Sequence, residues 1–85
     1  MKISSLIWDH WNADHIKKHN VTCKEVEELC SGKHKQQPTY KQRVLIIGKI
    51  KSGRALTVVL TEQSPGRCYV ITARDTSKKE RRKFL

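Results

Sequence analysis

Arginines stand at the ends of the apolar segments in the second half of the sequence, and they are the residues best suited to chemistry. Arg43, Arg54, Arg67 and Arg74 each begin or end a stretch with strand character. The planar guanidinium group binds two phosphate oxygens at once, and a cluster of such groups stabilises negative charge without a bound ion. Because long cationic side chains at strand ends can converge over a sheet, Arg43, Arg54 and Arg74 are candidates for a phosphate clamp.

Groups for proton transfer are few. His19 is the natural candidate, since imidazole changes its charge near neutral pH, and Lys18 precedes it. Glu62 ends an apolar segment among arginines, as either a general base or a salt-bridge partner. Cleavage of RNA through its 2′-OH needs a base, an acid and cations for the phosphorane charge, so this inventory fits that reaction. Alternatives without catalysis are that His19 packs in the core and that the arginines form a solvent-exposed basic surface.

No other catalytic signature is present. The sequence lacks G-x-S-x-G, P-loop, Rossmann and H-E-x-x-H motifs. His15, His19 and Cys23 have a spacing that can hold zinc. However, Asn20 and the Thr22 cap predict that the helix stops before Cys23, and no C-x-x-C pair exists, so we expect neither a metal nor another cofactor.

The charge balance indicates a polyanionic partner. The chain has 85 residues, enough for one domain spanning 1–85, with 18 Lys and Arg against 8 Asp and Glu, a net charge of +10. Residues 1–32 hold four lysines against five acidic residues, a net of −1; residues 33–85 hold fourteen basic residues against three acidic ones, a net of +11. The anion-binding surface should therefore lie on the C-terminal half.

Membrane and secreted classes do not fit the pattern. The longest apolar runs, near Val44–Ile50 and Ala55–Leu60, are far shorter than the roughly 20 residues of a spanning helix. The N-terminal apolar stretch is too short for a signal peptide. Cysteines are odd in number, which disfavours a disulfide framework and favours reduced thiols. We therefore expect a cytoplasmic protein without membrane contact.

Two helices are predicted in the N-terminal half, after a short strand at Ile3–Trp8. The first starts after Asp9 as its cap, has its basic last turn at Lys17–His19 and closes at Asn20. The second starts with the capping box Thr22–Glu25, and Gly32 can end it.

The C-terminal half is predicted to be a sheet followed by a helix. Lys33–Gln42 has no periodicity and is predicted to be a loop. Three strands follow, at Arg43–Ile50, Arg54–Glu62 and Arg67–Arg74, joined by glycine-containing turns. A capping box at Ser77–Glu80 then starts a short basic helix. The predicted order is β-α-α-β-β-β-α, in the α+β class.

Several short segments of the sequence resemble the BrnT family of type II toxin–antitoxin toxins, within the RelE-like ribonuclease fold. The resemblance spans nearly the whole chain, and its specificity comes from the ordered combination of short segments. In chain order they are Trp8-Asp9, Asn12, Lys18–Thr22, Arg43–Gly48, Gly53–Val59 with Thr61-Glu62, Tyr69–Arg74 and Glu80–Arg82.

The resemblance implies a metal-independent endoribonuclease with a mainly antiparallel curved sheet and two helices on one side. It also implies that the enzyme cleaves RNA, arrests translation and is neutralised by a cognate BrnA-like antitoxin. Operator DNA would be bound by the antitoxin and not by the toxin itself. Arg67, Arg81 and Arg82 extend the basic face as RNA-binding candidates. For Arg81, pairing with Asp75 or contact with the antitoxin are alternatives.

Three departures from the family pattern bear on catalytic activity. Gln42 stands where an acidic residue often precedes the strand arginine, Asp75 where a second arginine is common, and Phe84 where a tyrosine is usual. These departures keep an alternative open: a degenerate toxin that acts as a non-catalytic RNA-, DNA- or antitoxin-binding module.

Overall fold

The structure is a computed structural model that describes residues 1–85, an α+β fold of five strands and three helices. In chain order the elements are β1 (Ser5–Ile7), α1 (His10–Lys17), α2 (Cys23–Ser31), β2 (Lys35–Thr39), β3 (Arg43–Lys49), β4 (Ala55–Ser64), β5 (Arg67–Asp75) and α3 (Lys78–Phe84). The strands form one sheet in the order β1-β5-β4-β3-β2, in which only the β1–β5 pairing is parallel. The predicted α+β class and mainly antiparallel sheet are confirmed. No helix is long and apolar enough to cross a membrane.

The predicted loop at Lys33–Gln42 is wrong, because this segment contains strand β2. Its sequence, Lys-Gln-Gln-Pro-Thr, has no apolar alternation, and its side chains are exposed or half-buried. Pairing with β3 makes it a strand, with Lys35 opposite Ile47 and Thr39 opposite Arg43. Lysine and proline are typical of edge strands, which have only one neighbour. The element order therefore contains one strand more than β-α-α-β-β-β-α.

Side-chain caps fix the starts of all three helices, as the sequence predicts. Each cap accepts a hydrogen bond from the backbone N–H three residues on, and the side chain at that position bonds back to the cap N–H, in the pairs Asp9–Asn12, Thr22–Glu25 and Ser77–Glu80. The predicted left-handed residue after α1 is also confirmed, since Asn20 has φ 57°. Because α1 ends at Lys17, His19 lies just beyond the helix instead of in its last turn.

The main core lies on one face of the sheet, under α1 and α2. Fully buried residues of the helices, Ile16, Val26 and Leu29, pack in one cluster with Val58 of β4 and Val70 of β5. Cys30 and Cys68 are buried in the same cluster, and all three cysteines are free thiols. Burial raises the pKa of Cys30 to about 12, so this thiol stays protonated and acts as a packing residue.

The opposite side of the sheet is only partly covered. Short helix α3 crosses one end of it, where Thr57 of β4 donates a hydrogen bond to Glu80 at 3.1 Å. Side chains two residues apart on a strand share a face, and so do directly paired ones. The half-buried residues on the same side of the sheet as Thr57 form a surface that we call the open face. They are Arg43, Leu45, Val59, Thr61, Tyr69, Ile71, Thr72 and Arg74.

Candidate functional site

Two of the predicted arginines, Arg43 and Arg74, lie on the open face. Arg43 pairs with Thr61 of β4 and Arg74 pairs with Thr57, four residues away on that strand. Strand geometry puts their Cα atoms roughly 16 Å apart, four residue steps along the sheet and two strands across it. At this separation they can hold separate phosphates of one strand of nucleic acid.

Glu62 does not join these arginines. Its neighbour Thr61 is on the open face, so Glu62 points to the other side, opposite the buried Cys68. Its carboxylate accepts a hydrogen bond of 2.9 Å from the Gly66 backbone N–H and so closes the β4–β5 turn. Arg67 begins β5 beside this turn and is exposed.

Helix α1 borders the open face next to β5. The side chain of His15 lines one surface groove with Trp11, Tyr69 and Ile71, and a second groove of about 510 Å³ with Trp11 and Lys18. The ring centroids of His15 and His19 are 5.6 Å apart, and both side chains are exposed. His15 therefore stands at the border of the open face, with the His19 ring and Lys18 beside it.

Tyr69 is anchored to the start of α1. Its hydroxyl donates to the Asp9 carboxylate, with oxygen–oxygen distances of 3.0 and 3.2 Å. Partial burial and then this carboxylate raise the pKa of Tyr69. The Asn12 backbone N–H and the phenol in turn lower the pKa of Asp9, so the phenol stays protonated and holds α1 against β5.

Arg74 forms a two-pronged ion pair with Glu80 of α3. Its Nη1 and Nη2 atoms lie 2.7 and 2.8 Å from the two carboxylate oxygens. This pairing lowers the pKa of Glu80 to about 2. The Arg74 side chain nevertheless remains 39% exposed, and guanidinium groups carry five donors, so part of it stays open to a phosphate on the open face.

Arg54 is placed differently from the predicted phosphate clamp. Its Nε donates to Asp75 at 2.7 Å, and its Nη1 contacts Glu25 at 3.1 Å. Nη1 and Nη2 also donate to the backbone carbonyls of Asn20 and His19. All three guanidinium nitrogens thus have acceptors inside the protein, because the α1–α2 connection and both carboxylates converge on this side chain. Arg54 joins the α1–α2 connection to β4 and β5 and is not free to clamp a phosphate.

The histidines and cysteine with zinc-like spacing are not gathered into a site. No group of three His, Cys, Asp or Glu side chains is close enough to hold a metal ion. His15 lies within α1, His19 lies beyond its end, and Cys23 begins α2. The chain turn at Asn20 separates the two helices, as the capping pattern predicts.

Each acidic side chain contacts at least one partner within the protein. Their partners are Asn12 N–H and Tyr69 for Asp9, Lys17 for Asp14, Thr22 and Arg54 for Glu25, Trp8 for Glu27, Lys51 N–H for Glu28, Gly66 N–H for Glu62, Arg54 for Asp75, and Arg74, Thr57 and Ser77 N–H for Glu80. Of the 18 lysines and arginines only Lys17, Arg54 and Arg74 contact a carboxylate, so fifteen have no acidic partner. Arg81 and Arg82 of α3 are among these fifteen, and both are exposed.

The sequence analysis gives Trp11 and Tyr69 no functional role, and it considers the His15–His19 pair only as part of a metal pattern. His15 has a usable signal, because residues four apart share a helix face, but the same spacing also fits a metal pattern. Nothing in the sequence shows that Trp11 is exposed.

The fold and the site define a small basic protein whose half-open sheet face and flanking cations suit a nucleic-acid backbone. The family profile described as ribonuclease toxin, BrnT, of type II toxin–antitoxin systems matches residues 8–80. Among solved structures, the ribonuclease toxin BrnT of Brucella abortus is similar, with a TM-score of 0.69 and 25% identity over 87% of this chain and 97% of that one. A search of curated protein sequences gave no match.

The chain belongs to the BrnT family of ribonuclease toxins of type II toxin–antitoxin systems. The family resemblance predicted from the short segments is confirmed. Membership in such a family implies an antitoxin as partner.

Proposed function

We propose that this protein is a metal-independent endoribonuclease of RelE-like fold that cleaves RNA in the cytoplasm and thereby inhibits translation. A cognate BrnA-like antitoxin neutralises it and connects the complex to operator DNA. The observation that carries the proposal is the pair of exposed imidazoles, His15 and His19, 5.6 Å apart at the border of the cationic open face of a BrnT-family chain.

The reaction is transesterification at phosphorus. His19 accepts the proton of the ribose 2′-OH, and the 2′-oxygen bonds to phosphorus. The bond from phosphorus to the 5′-oxygen breaks, and His15 donates a proton to that leaving oxygen. The products are a 2′,3′-cyclic phosphate and a 5′-OH, so atoms and charge balance without a co-reactant.

Cations carry the rest of the reaction. Lys18 lies in the same groove as His15, where its ammonium group faces the charge that develops on the phosphorane. Arg43 and Arg74 hold phosphates on either side along the open face. Arg67, Arg81 and Arg82 bind the RNA further out. Because Glu62 points away from the open face, the imidazole, and not Glu62, takes the 2′-OH proton.

Arg54 acts as a positioning residue in this proposal. It donates to the carbonyl oxygens of His19 and Asn20, at 3.3 and 2.7 Å. These contacts fix the backbone that carries His19 relative to β4 and β5. The arginine thus contributes through the position of His19, without touching the substrate.

Purified protein incubated with a defined RNA in EDTA tests the reaction. We expect cleavage products ending in 2′,3′-cyclic phosphate, and a loss of about 100-fold or more in rate for His19→Asn and for His15→Asn. His34→Asn is the matched control, because the His34 ring contacts the Leu29 and Gly32 carbonyls near the other edge of the sheet. Equal rates for all four proteins would refute the imidazole pair.

A non-catalytic module is the second candidate, and the fully occupied guanidinium group of Arg54 favours it. It predicts salt-dependent RNA binding with intact RNA, or binding to an acidic antitoxin alone. Induction in a bacterium, with and without the small reading frame beside the gene, separates the two candidates. Growth arrest with RNA loss, relieved by the neighbour, supports the toxin; no arrest from folded protein supports the module.

A further inference from the structure

Trp11 is the most exposed large hydrophobic side chain of the protein. It lies on α1 with 73% of its surface accessible, although tryptophan is usually buried in a domain. The His10 ring lies beside it, with centroids 5.1 Å apart and planes tilted by 33°. Exposing this ring has a free-energy cost that the fold itself does not explain.

One side of Trp11 is polar and cationic. One flanking groove is lined by His10, Asp14, His15 and Lys18, with Trp11 as its single hydrophobic residue. Asp14 is paired with Lys17 at 3.8 Å, which offsets its charge. A protein-docking surface needs contiguous apolar area, whereas an unpaired base needs one aromatic plane with cations nearby for its phosphate. The groove with His10 and Lys18 gives Trp11 the second kind of environment, and the other groove beside it adds only Tyr69 and Ile71 as apolar lining.

The other groove beside Trp11 leads to the open face. It is lined by Asn12, His15, Tyr69 and Ile71, so the tryptophan and the sheet share a continuous surface. Consider an RNA strand that crosses the open face and presents a phosphate to His15. Its neighbouring bases then lie close to the indole ring of Trp11.

We propose that Trp11 is a stacking subsite for one unpaired base of single-stranded RNA, with Lys18 contacting the adjoining phosphate. This inference rests on the proposed function for the path of the RNA and adds to it a base-binding position next to the imidazole pair. Stacking on an aromatic ring tolerates all bases, so the subsite favours unpaired over double-stranded RNA and does not select a sequence.

Tyr40 provides a matched comparison. It is 72% exposed, in the turn between β2 and β3, with the Lys41 Nζ 5.9 Å from its ring centroid. It lines none of the five surface grooves. Tyr40 is therefore as exposed as Trp11 and also has a cation nearby, but it lies outside the proposed path of the RNA.

The test is binding of a single-stranded 2′-O-methyl RNA of about ten nucleotides, which has no 2′-OH and cannot be cleaved, followed by fluorescence anisotropy. We expect Trp11→Ala to weaken binding about tenfold or more and Trp11→Phe to restore most of the affinity. Tyr40→Ala should bind as the unchanged protein does. Replacing all bases of the RNA by abasic sites should weaken binding more in the unchanged protein than in Trp11→Ala.

The outcomes separate this subsite from the proposed reaction. Binding that depends on Trp11, without cleavage of ordinary RNA, supports the subsite and refutes the reaction. Cleavage and binding that are unchanged in Trp11→Ala refute the subsite alone. Unchanged RNA affinity together with a weakened antitoxin complex also refutes it and assigns Trp11 to the protein partner.

Discussion

Arg74 and Glu80 meet in a two-pronged ion pair, 2.7 and 2.8 Å between nitrogen and oxygen atoms, that fastens α3 to the sheet. No residue of α3 is fully buried, so this helix has little apolar anchoring of its own. The Glu80 carboxylate also accepts hydrogen bonds from Thr57 and from the Ser77 backbone N–H. The position of α3 across the open face therefore depends mainly on the charge of one side chain.

That dependence predicts a change of stability with pH. Arg74 lowers the pKa of Glu80 from 4.5 to about 2, so the ionised form favours folding. The contribution is fully present above pH 4.5 and is lost as pH falls through 2, and it amounts to about 2 kcal/mol after allowing for solvent screening. Urea unfolding of Glu80→Gln should show this deficit at pH 7 and converge with the unchanged protein near pH 2. Glu62→Gln, at an exposed turn, is the control expected to show a smaller loss.

Arg54→Lys should destabilise the protein although it keeps the charge. Lysine has no planar fork, so it cannot bond Glu25, Asp75 and two backbone carbonyls together, and it leaves carbonyl oxygens without donors. We expect a loss of about 2 kcal/mol in the free energy of unfolding. Arg43→Lys is the control, because Arg43 has no internal acceptor, and it should leave the urea midpoint nearly unchanged. Equal midpoints for the two variants would contradict the network.

Local features were predictable from sequence, and features made by pairing were not. Capping at Asp9, Thr22 and Ser77 depends on residues three positions apart, so the sequence alone shows it. Strand β2 escaped prediction because its residues become a strand only through the ladder to β3.

The site shows the same division. Arg43 and Arg74 lie on the sheet surface because each belongs to a strand whose residues alternate between faces, and their role as a phosphate clamp stays a prediction. The environment of Arg54 depends on Glu25 and Asp75, 29 and 21 residues away in the chain. Such long-range partners decide whether a guanidinium group is free, and no spacing rule contains them.

Two glycines with positive φ should differ in their tolerance of alanine. Gly53 has φ 89° and no atom within 4 Å of the position that a Cβ would take, so Gly53→Ala should cost about 1 kcal/mol from backbone strain alone. Gly66 has φ 78°, and a Cβ there would lie 2.5 Å from the Ser4 Oγ and 2.9 Å from its Cβ. Gly66→Ala should therefore cost about 2 to 3 kcal/mol, measured by thermal or urea unfolding. Similar losses for both variants would mean that Ser4 moves away without cost.

Salt dependence distinguishes a phosphate contact at Arg43 from a merely cationic surface. Each phosphate contact to single-stranded nucleic acid contributes roughly 0.7 to the slope of log K against log salt. With the uncleavable RNA, Arg43→Gln should weaken binding and reduce that slope by about 0.7. Lys24→Gln removes the same charge from α2, where Glu25, Glu27 and Glu28 make the surface acidic, and should leave the slope unchanged. If both variants changed the slope equally, the RNA would be responding to net charge, and Arg43 would have no specific place on its path.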